Sequence, residues 1–199
     1  MGLYPYDSTK GQLLKTDEGS EDRGFIAHFE AAAAAALVAD GYVASTNMIV
    51  GAYTLALTAP TDGHAHGLTL VRTVVDTADT PGTVVIVGTD LAGEALTETM
   101  IPGATGVTVY GTRAFATVTS ITGVGWVISA GNDTIVIGWG DILGLPHMLT
   151  RNTVLCTFLG DALEGTAPTV TVSATVLAAN TADLNSALNA TDVDIYYIA

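Results

Sequence analysis

The chain is poor in the residues from which most catalytic and binding sites are made. One cysteine, Cys156, stands among 199 residues, which excludes an internal disulfide and a cysteine-built zinc site. It falls in the run VLCTFL, where a core position is expected for it. Basic residues number six against 20 acidic ones, a net charge of -14. Three of the six, Lys10, Lys15 and Arg23, lie in the first 23 positions. Phosphate contacts need lysine and arginine to release counterions, so no nucleic-acid partner is expected for the body. No apolar run reaches the roughly 20 residues of a bilayer span. The opening MGLYPYDSTKGQLLK has no basic-then-apolar signal pattern, so synthesis in the cytoplasm without a membrane stage is expected.

Charged residues make up 13% and aromatics 7% of the chain, against 49% hydrophobic. The apolar content is therefore mainly Ala, Val, Leu and Ile, enough for a core of thin, ordered layers. Thr, Ser, Asn and Gly take the surface positions that Lys and Glu usually fill, as is common in assembled, secreted or virion proteins.

Along the chain, residues 1–24 mix Gly, Asp, Glu, Lys and Ser without a period and read as an arm that orders against a partner. His28 to Asp40, HFEAAAAAALVAD, has strong helix propensity with Gly41 placed to stop it, and predicts one short Ala-rich helix. Because six alanines offer no amphipathic face, an extended segment packed against a neighbouring subunit is the alternative. From Val43 onward, short β-rich runs alternate with turn residues. They are Met48–Ala59, Leu68–Asp76, Gly82–Val87, Ala95–Met100, Gly106–Tyr110, Ala114–Ile121, Val124–Ile128, Thr134–Ile137, Asn152–Leu159, Thr169–Leu177 and Val193–Ile198. Residues 90–93 suit a hairpin loop with Gly93 at positive φ, and Gly123 a second tight turn before the core anchor Trp126. The glycines and Pro146 of GWGDILGLPHML predict a fixed loop there, pinned by Trp139 and the leucines. The pattern predicts a mainly β protein: an antiparallel sandwich or barrel-like body over residues 46–199, preceded by an arm over residues 1–45.

The familiar chemical signatures are missing. Neither GxxxxGK[ST] nor GxGxxG between a strand and a helix occurs, nor a GxSxG elbow, a paired-His helix or a catalytic cysteine context. No catalytic residue and no cofactor is expected. The sharpest metal candidate is Asp62-Gly-His64-Ala-His66, because His at i and i+2 of an extended segment face one side, with Asp62 as an oxygen ligand. Two histidines do not close a zinc site, so an ordinary polar turn is the expectation. His28, beside Phe25, Ile26 and Phe29, and His147, after Pro146, read as packed or capping histidines. Asp90, Glu94, Glu98, Asp141, Asp161, Glu164, Asp192 and Asp194 are scattered and read as solvated faces and turns.

The C-terminal third, IGWGDILGLPHMLTRNTVL followed by EGTAPTVTVSATVLAANTADLNSALNATDVDIYYI, resembles a widespread group of tailed-bacteriophage virion proteins. VVIVGTDLAGEALTETM and GTRAFATVTSIT are similar to the same group, so the resemblance covers about residues 70–199. It implies a non-enzymatic β-rich subunit on the capsid exterior, as a decoration, cement or head-fibre protein that stabilises the capsid. The implied partners are the major capsid protein and further copies of the chain, as a homotrimer. The alternatives are a host-surface or glycan-binding module using Tyr4, Tyr6, Tyr42, Tyr53 or Tyr110, and a tail or neck structural protein. A polysaccharide hydrolase would need converging carboxylates in a cleft.

Overall fold

A computed structural model describes residues 13–16, 19–22 and 24–199, with side chains from residue 24 onward. The expected arm over residues 1–24 lies largely outside the described residues, as do Tyr4 and Tyr6. Within it, β1 (Leu13–Thr16) and β2 (Gly19–Asp22) pair as an antiparallel hairpin. The rest is mainly β and barrel-like, with antiparallel pairing throughout the described strands and a sheet that curls into a half-barrel.

The strand β11 (Thr134–Gly144) is the centre of the first sheet. One edge pairs with β6 (His66–Thr73). The other edge is shared: β4 (Val38–Asn47) takes Thr134 to Trp139, and β15 (Thr181–Asp183) takes Ile142 to Gly144. The sheet is completed by β9 (Thr108–Phe115) beside β6 and β14 (Thr169–Thr171) beside β15. A second sheet runs in the order β5 (Gly51–Ala52), β10 (Thr117–Val124), β7 (Thr83–Thr89), β8 (Ala95–Met100). A third runs in the order β13 (Ala162–Leu163), β12 (Val154–Leu159), β16 (Val193–Ile198), β3 (Ile26–Ala31).

Two apolar cores are built by these strands, with β3, β7, β8 and β16 alternating in and out while β6 and β11 are buried over consecutive residues. In the first, Val84 and Ile86 of β7 and Val118 and Ile121 of β10 share one cluster with Leu68 and Leu70 of β6 and Ile135, Ile137 and Trp139 of β11. In the second, Ala27, Phe29 and Ala31 of β3 and Val193, Ile195 and Tyr197 of β16 pack with Leu143, Leu145, Leu149, Leu184 and Leu188. β11 enters both, through Ile135 to Trp139 and through Leu143.

The Ala-rich helix expected over residues 28–40 does not form. Among the described residues the helical element is a single 3-10 turn, Leu177–Ala179. Residues 26–31 alternate out and in as β3; Ala32 and Ala33 then turn, and residues 34–36 run without regular structure, their backbone bonded by the body. The Ala34 amide donates to the Thr191 carbonyl at 3.0 Å, the Ala35 amide to Asp62 Oδ2 at 2.7 Å, and Trp139 Nε1 to the Ala36 carbonyl at 3.1 Å. Helix propensity is worth only tenths of a kcal/mol per residue, and side chains this small let the backbone come close enough for those partners. The boundary at residue 45 falls inside β4, and residues 26–47 supply strands to the body's own sheets.

The loop expected at residues 138–149 is strand as far as Gly144. Its glycines mark close approach instead: a Cβ on Gly138 would sit 1.8 Å from the Val38 carbonyl oxygen, and across the same pairing one on Gly41 of β4 would sit 2.2 Å from the Trp139 ring. β10 likewise runs through Gly123, and the positive φ comes two residues later at Gly125. Gly93 has the expected positive φ between β7 and β8, and Trp126 is buried in the first core. Only Gly51–Ala52 of the expected strand 48–59 is paired as a strand; of the expected strand 124–128, Val124 ends β10 and the rest forms a single bridge, Thr80 to Val127. Cys156 is half-buried, not fully in the core.

Candidate functional site

The segment Asp62 to His66 leads into β6 and is held by its own side chains. His66 is fully buried, with Nδ1 3.0 Å from the Gly140 carbonyl and Nε2 2.8 Å from Asp62 Oδ2. Asp62 also accepts from the Ala35 amide on Oδ2 and the His64 amide on Oδ1. Burial alone would raise the Asp62 carboxyl, but its bonds from His66, Ala35 and His64 outweigh that and lower its pKa to about 2. The buried Tyr42 hydroxyl is raised by desolvation first and by the Asp62 charge second. Both His66 nitrogens are committed to protein acceptors, so neither is free for an ion. His64 does not share its face: it sits in the bend before β6, with its ring edge-on to Phe29 at 5.3 Å. The candidate triad of Asp62, His64 and His66 is thus a tie between the Ala-rich segment, β6 and β11.

A second polar knot closes the opposite end of β6. Arg72 reaches Asp133 Oδ2 through Nε at 2.7 Å and the terminal nitrogen at 2.6 Å. Asp133 Oδ1 accepts from the amides of Val75 and Asp76. Desolvation opposes ionisation of Asp133, but these amides and the guanidinium hold its pKa below the ordinary value. Every charge here has a protein partner, which marks a structural clamp.

Two carboxylates that look unrelated in sequence meet at a cleft of about 220 Å³, lined by Tyr110, Asp141, Ile142 and Asp183. Asp183 lies opposite Ile142 across the β11–β15 pairing, which sets it beside Asp141. Burial raises both carboxyls; for Asp183 the Asp141 charge adds to it, and for Asp141 the Leu37 amide and His66 offset part of it. Tyr110 is half exposed at the rim. By contrast, Tyr42 and Tyr53 are buried in the first core. A groove of about 420 Å³ along β4 is lined by Ser45, Thr46, Ile49, Thr54 and Leu55. Its one titratable group, Tyr53, is bonded to the Ile49 amide, so the groove holds no acid, base or nucleophile pair.

The outer face of the third sheet is the other distinctive surface. Register places Leu163 beside Phe158, Phe158 beside Asp194 and Asp194 beside Glu30; the next rows are Cys156, Tyr196 and His28, then Ile198 and Ile26. His28 stacks flat on Tyr196, with centroids 4.5 Å apart and planes 4° apart, and Phe158 meets the same ring edge-on. Sequence reasoning placed His28 among packed or capping histidines; it is exposed, with Nε2 2.5 Å from Asp194 Oδ1. The alternation of His28 and Glu30 was the available signal, hidden by the helix assigned to the alanines. His147 does pack as expected, with Nδ1 2.6 Å from the Tyr197 hydroxyl, whose pKa burial raises to about 12.

Comparison with protein-family models, with curated proteins and with solved structures returned no match to this chain.

Proposed function

We propose that the chain is a non-enzymatic structural subunit of a phage virion that binds the capsid exterior, as a decoration, cement or head-fibre protein. It assembles as a homotrimer and contacts the major capsid protein. The observation that carries this reading is the outer face of the third sheet, where Ile26 and Leu163 are 67% and 62% exposed and Phe158, Tyr196 and Ile198 continue the apolar surface between them. An apolar strip of this kind, running past Glu30 and Asp194 on the same face of a chain so poor in charge, suits burial against another protein. The sequence resemblance over residues 70–199 supplies the virion setting. A cryo-EM map of the phage particle tests the location: density for the β body on the outer shell is expected, and density confined to the tail or neck overturns the placement. Light scattering on the purified chain should give a trimer mass. Removing residues 1–23, which leaves every strand from β3 onward intact, should abolish capsid co-sedimentation if that segment makes the contact.

A second reading is favoured by the cleft at Asp141 and Asp183. An exposed tyrosine ring beside two carboxylates matches sugar recognition, by stacking on the ring and hydrogen bonds from hydroxyls. On this reading Tyr110→Ala abolishes binding on a glycan array; an array with no binding to the native chain removes it.

A further inference from the structure

The outer face of the third sheet brings three metal-ligand donors together. His28 and Glu30 are two residues apart on β3 and point to the same side, and Asp194 lies directly opposite Glu30 on β16. One donor atom from each lies within 4.8 Å of the others. The β3–β16 pairing runs through six residue pairs with no register shift, so the backbone under the three side chains is fixed. Tyr196, directly opposite His28, fixes the imidazole plane by stacking, with Nε2 already turned to Asp194. We propose that His28, Glu30 and Asp194 form a binding site for a divalent transition ion, zinc foremost, on the exposed face of this sheet.

The chemistry selects the ion. Zinc takes nitrogen at about 2.0 Å and carboxylate oxygen at about 2.1 Å, which sets neighbouring donors on one ion about 3.3 Å apart. The present spacing reaches that value by side-chain rotation, the His28 Nε2 to Asp194 contact opening as both atoms turn to the ion, with the imidazole coordinating as the neutral ring that carries its proton on Nδ1. One imidazole and two carboxylates leave a fourth position for water or for a donor from another protein. Calcium prefers six to eight oxygens and magnesium a nearly complete octahedron of them, neither of which a single rigid sheet face with a nitrogen donor supplies. The site differs from Asp62 and His66, where both imidazole nitrogens are already committed, and it does not depend on the virion reading.

Calorimetric titration of the full chain with zinc chloride at neutral pH tests the site. One ion per chain is expected, with His28→Ala, Glu30→Gln and Asp194→Asn each weakening binding by at least about tenfold. Tyr196→Ala should weaken it by about tenfold through loss of ring positioning, whereas Tyr196→Phe keeps the stack and the affinity. His64→Asn should leave binding unchanged. All of these residues but His64 lie on the outer sheet face; circular dichroism checks the fold, and Glu30→Gln carries the test where His28→Ala is unfolded. The proposal is overturned if the native chain binds no zinc, if His28→Ala and Glu30→Gln retain native affinity, or if calcium binds more tightly than zinc.

Discussion

The two cores are built on different terms. The first contains Tyr42, Tyr53, Phe115, Trp126 and Trp139, together with alternating aliphatics contributed by two of the sheets. The second holds two buried aromatic side chains, Phe29 and Tyr197, and otherwise aliphatics and alanines, packed between the third sheet and the end of β11, β15 and irregular backbone at residues 145–149 and 184–188. Where two sheets face each other, pleat and side chain fill the gap, about 10 Å across. Where a sheet meets irregular chain, leucines fill part of the gap, and elsewhere small residues let the backbone come close enough for its peptide groups to find partners. The alanines at 34 to 36 do that, bonded to Thr191, Asp62 and Trp139.

The largest way to break the comparison is Gly138→Val. With 1.8 Å between the new Cβ and the Val38 carbonyl oxygen, β4 must leave β11, and a loss of more than about 4 kcal/mol is expected, read as the urea midpoint or as failure to fold. A variant with the native midpoint would show that the first core does not need that approach. Leu143→Ala, in the second core, should cost about 2 to 4 kcal/mol. Because β11 serves both cores, its unfolding should stay a single transition by fluorescence and circular dichroism; two separated transitions would make the cores independent.

Asp62 gives a smaller effect with a defined pH window. Its folded pKa is depressed to about 2 from the ordinary 3.8, so its contribution is complete above about pH 4 and lost as pH falls toward 2. Asp62→Asn should therefore be less stable by about 2 kcal/mol at neutral pH, with the gap to the native chain closing in acid. A gap that persists at pH 2 would refute the electrostatic origin. Asp183 carries the opposite sign, since its raised pKa means that ionisation on going to neutral pH costs stability. Asp183→Asn should raise Tm by no more than about 2 °C at pH 7, with the advantage fading at low pH.

Much of the strand pattern in both cores was legible because period-two alternation is a local signal. β8 and β16 occupy the ranges the sequence predicts, residues 95–100 and 193–198, and Gly93 turns where expected. Reading failed where a residue's role depends on what lies across from it. Glycines 138, 140 and 144 look like loop formers until Val38, Tyr110 and Ala114 are placed against them. Alanines 31–36 look helical until the body supplies their hydrogen bonds. The same holds for the sites: Asp62 and His66 are neighbours in sequence and were found, though as a tie and not a ligand pair. Asp141 with Asp183, and His28 with Asp194, are joined only by strand register, which composition and spacing do not carry.

That register has a consequence in time. β3 finds its neighbour in β16, 166 residues later, as the pair His28 and Asp194 measures. At roughly 5 to 20 residues per second on the ribosome, β3 emerges on the order of 10 to 30 s before the strand that completes it. During that interval Ala27, Phe29 and Ala31 have no sheet to enter, and closing so long a loop is slow even once the partner exists. The third sheet is therefore the last to assemble, and a chaperone or a neighbouring nascent chain that meets β3 first competes with its native pairing.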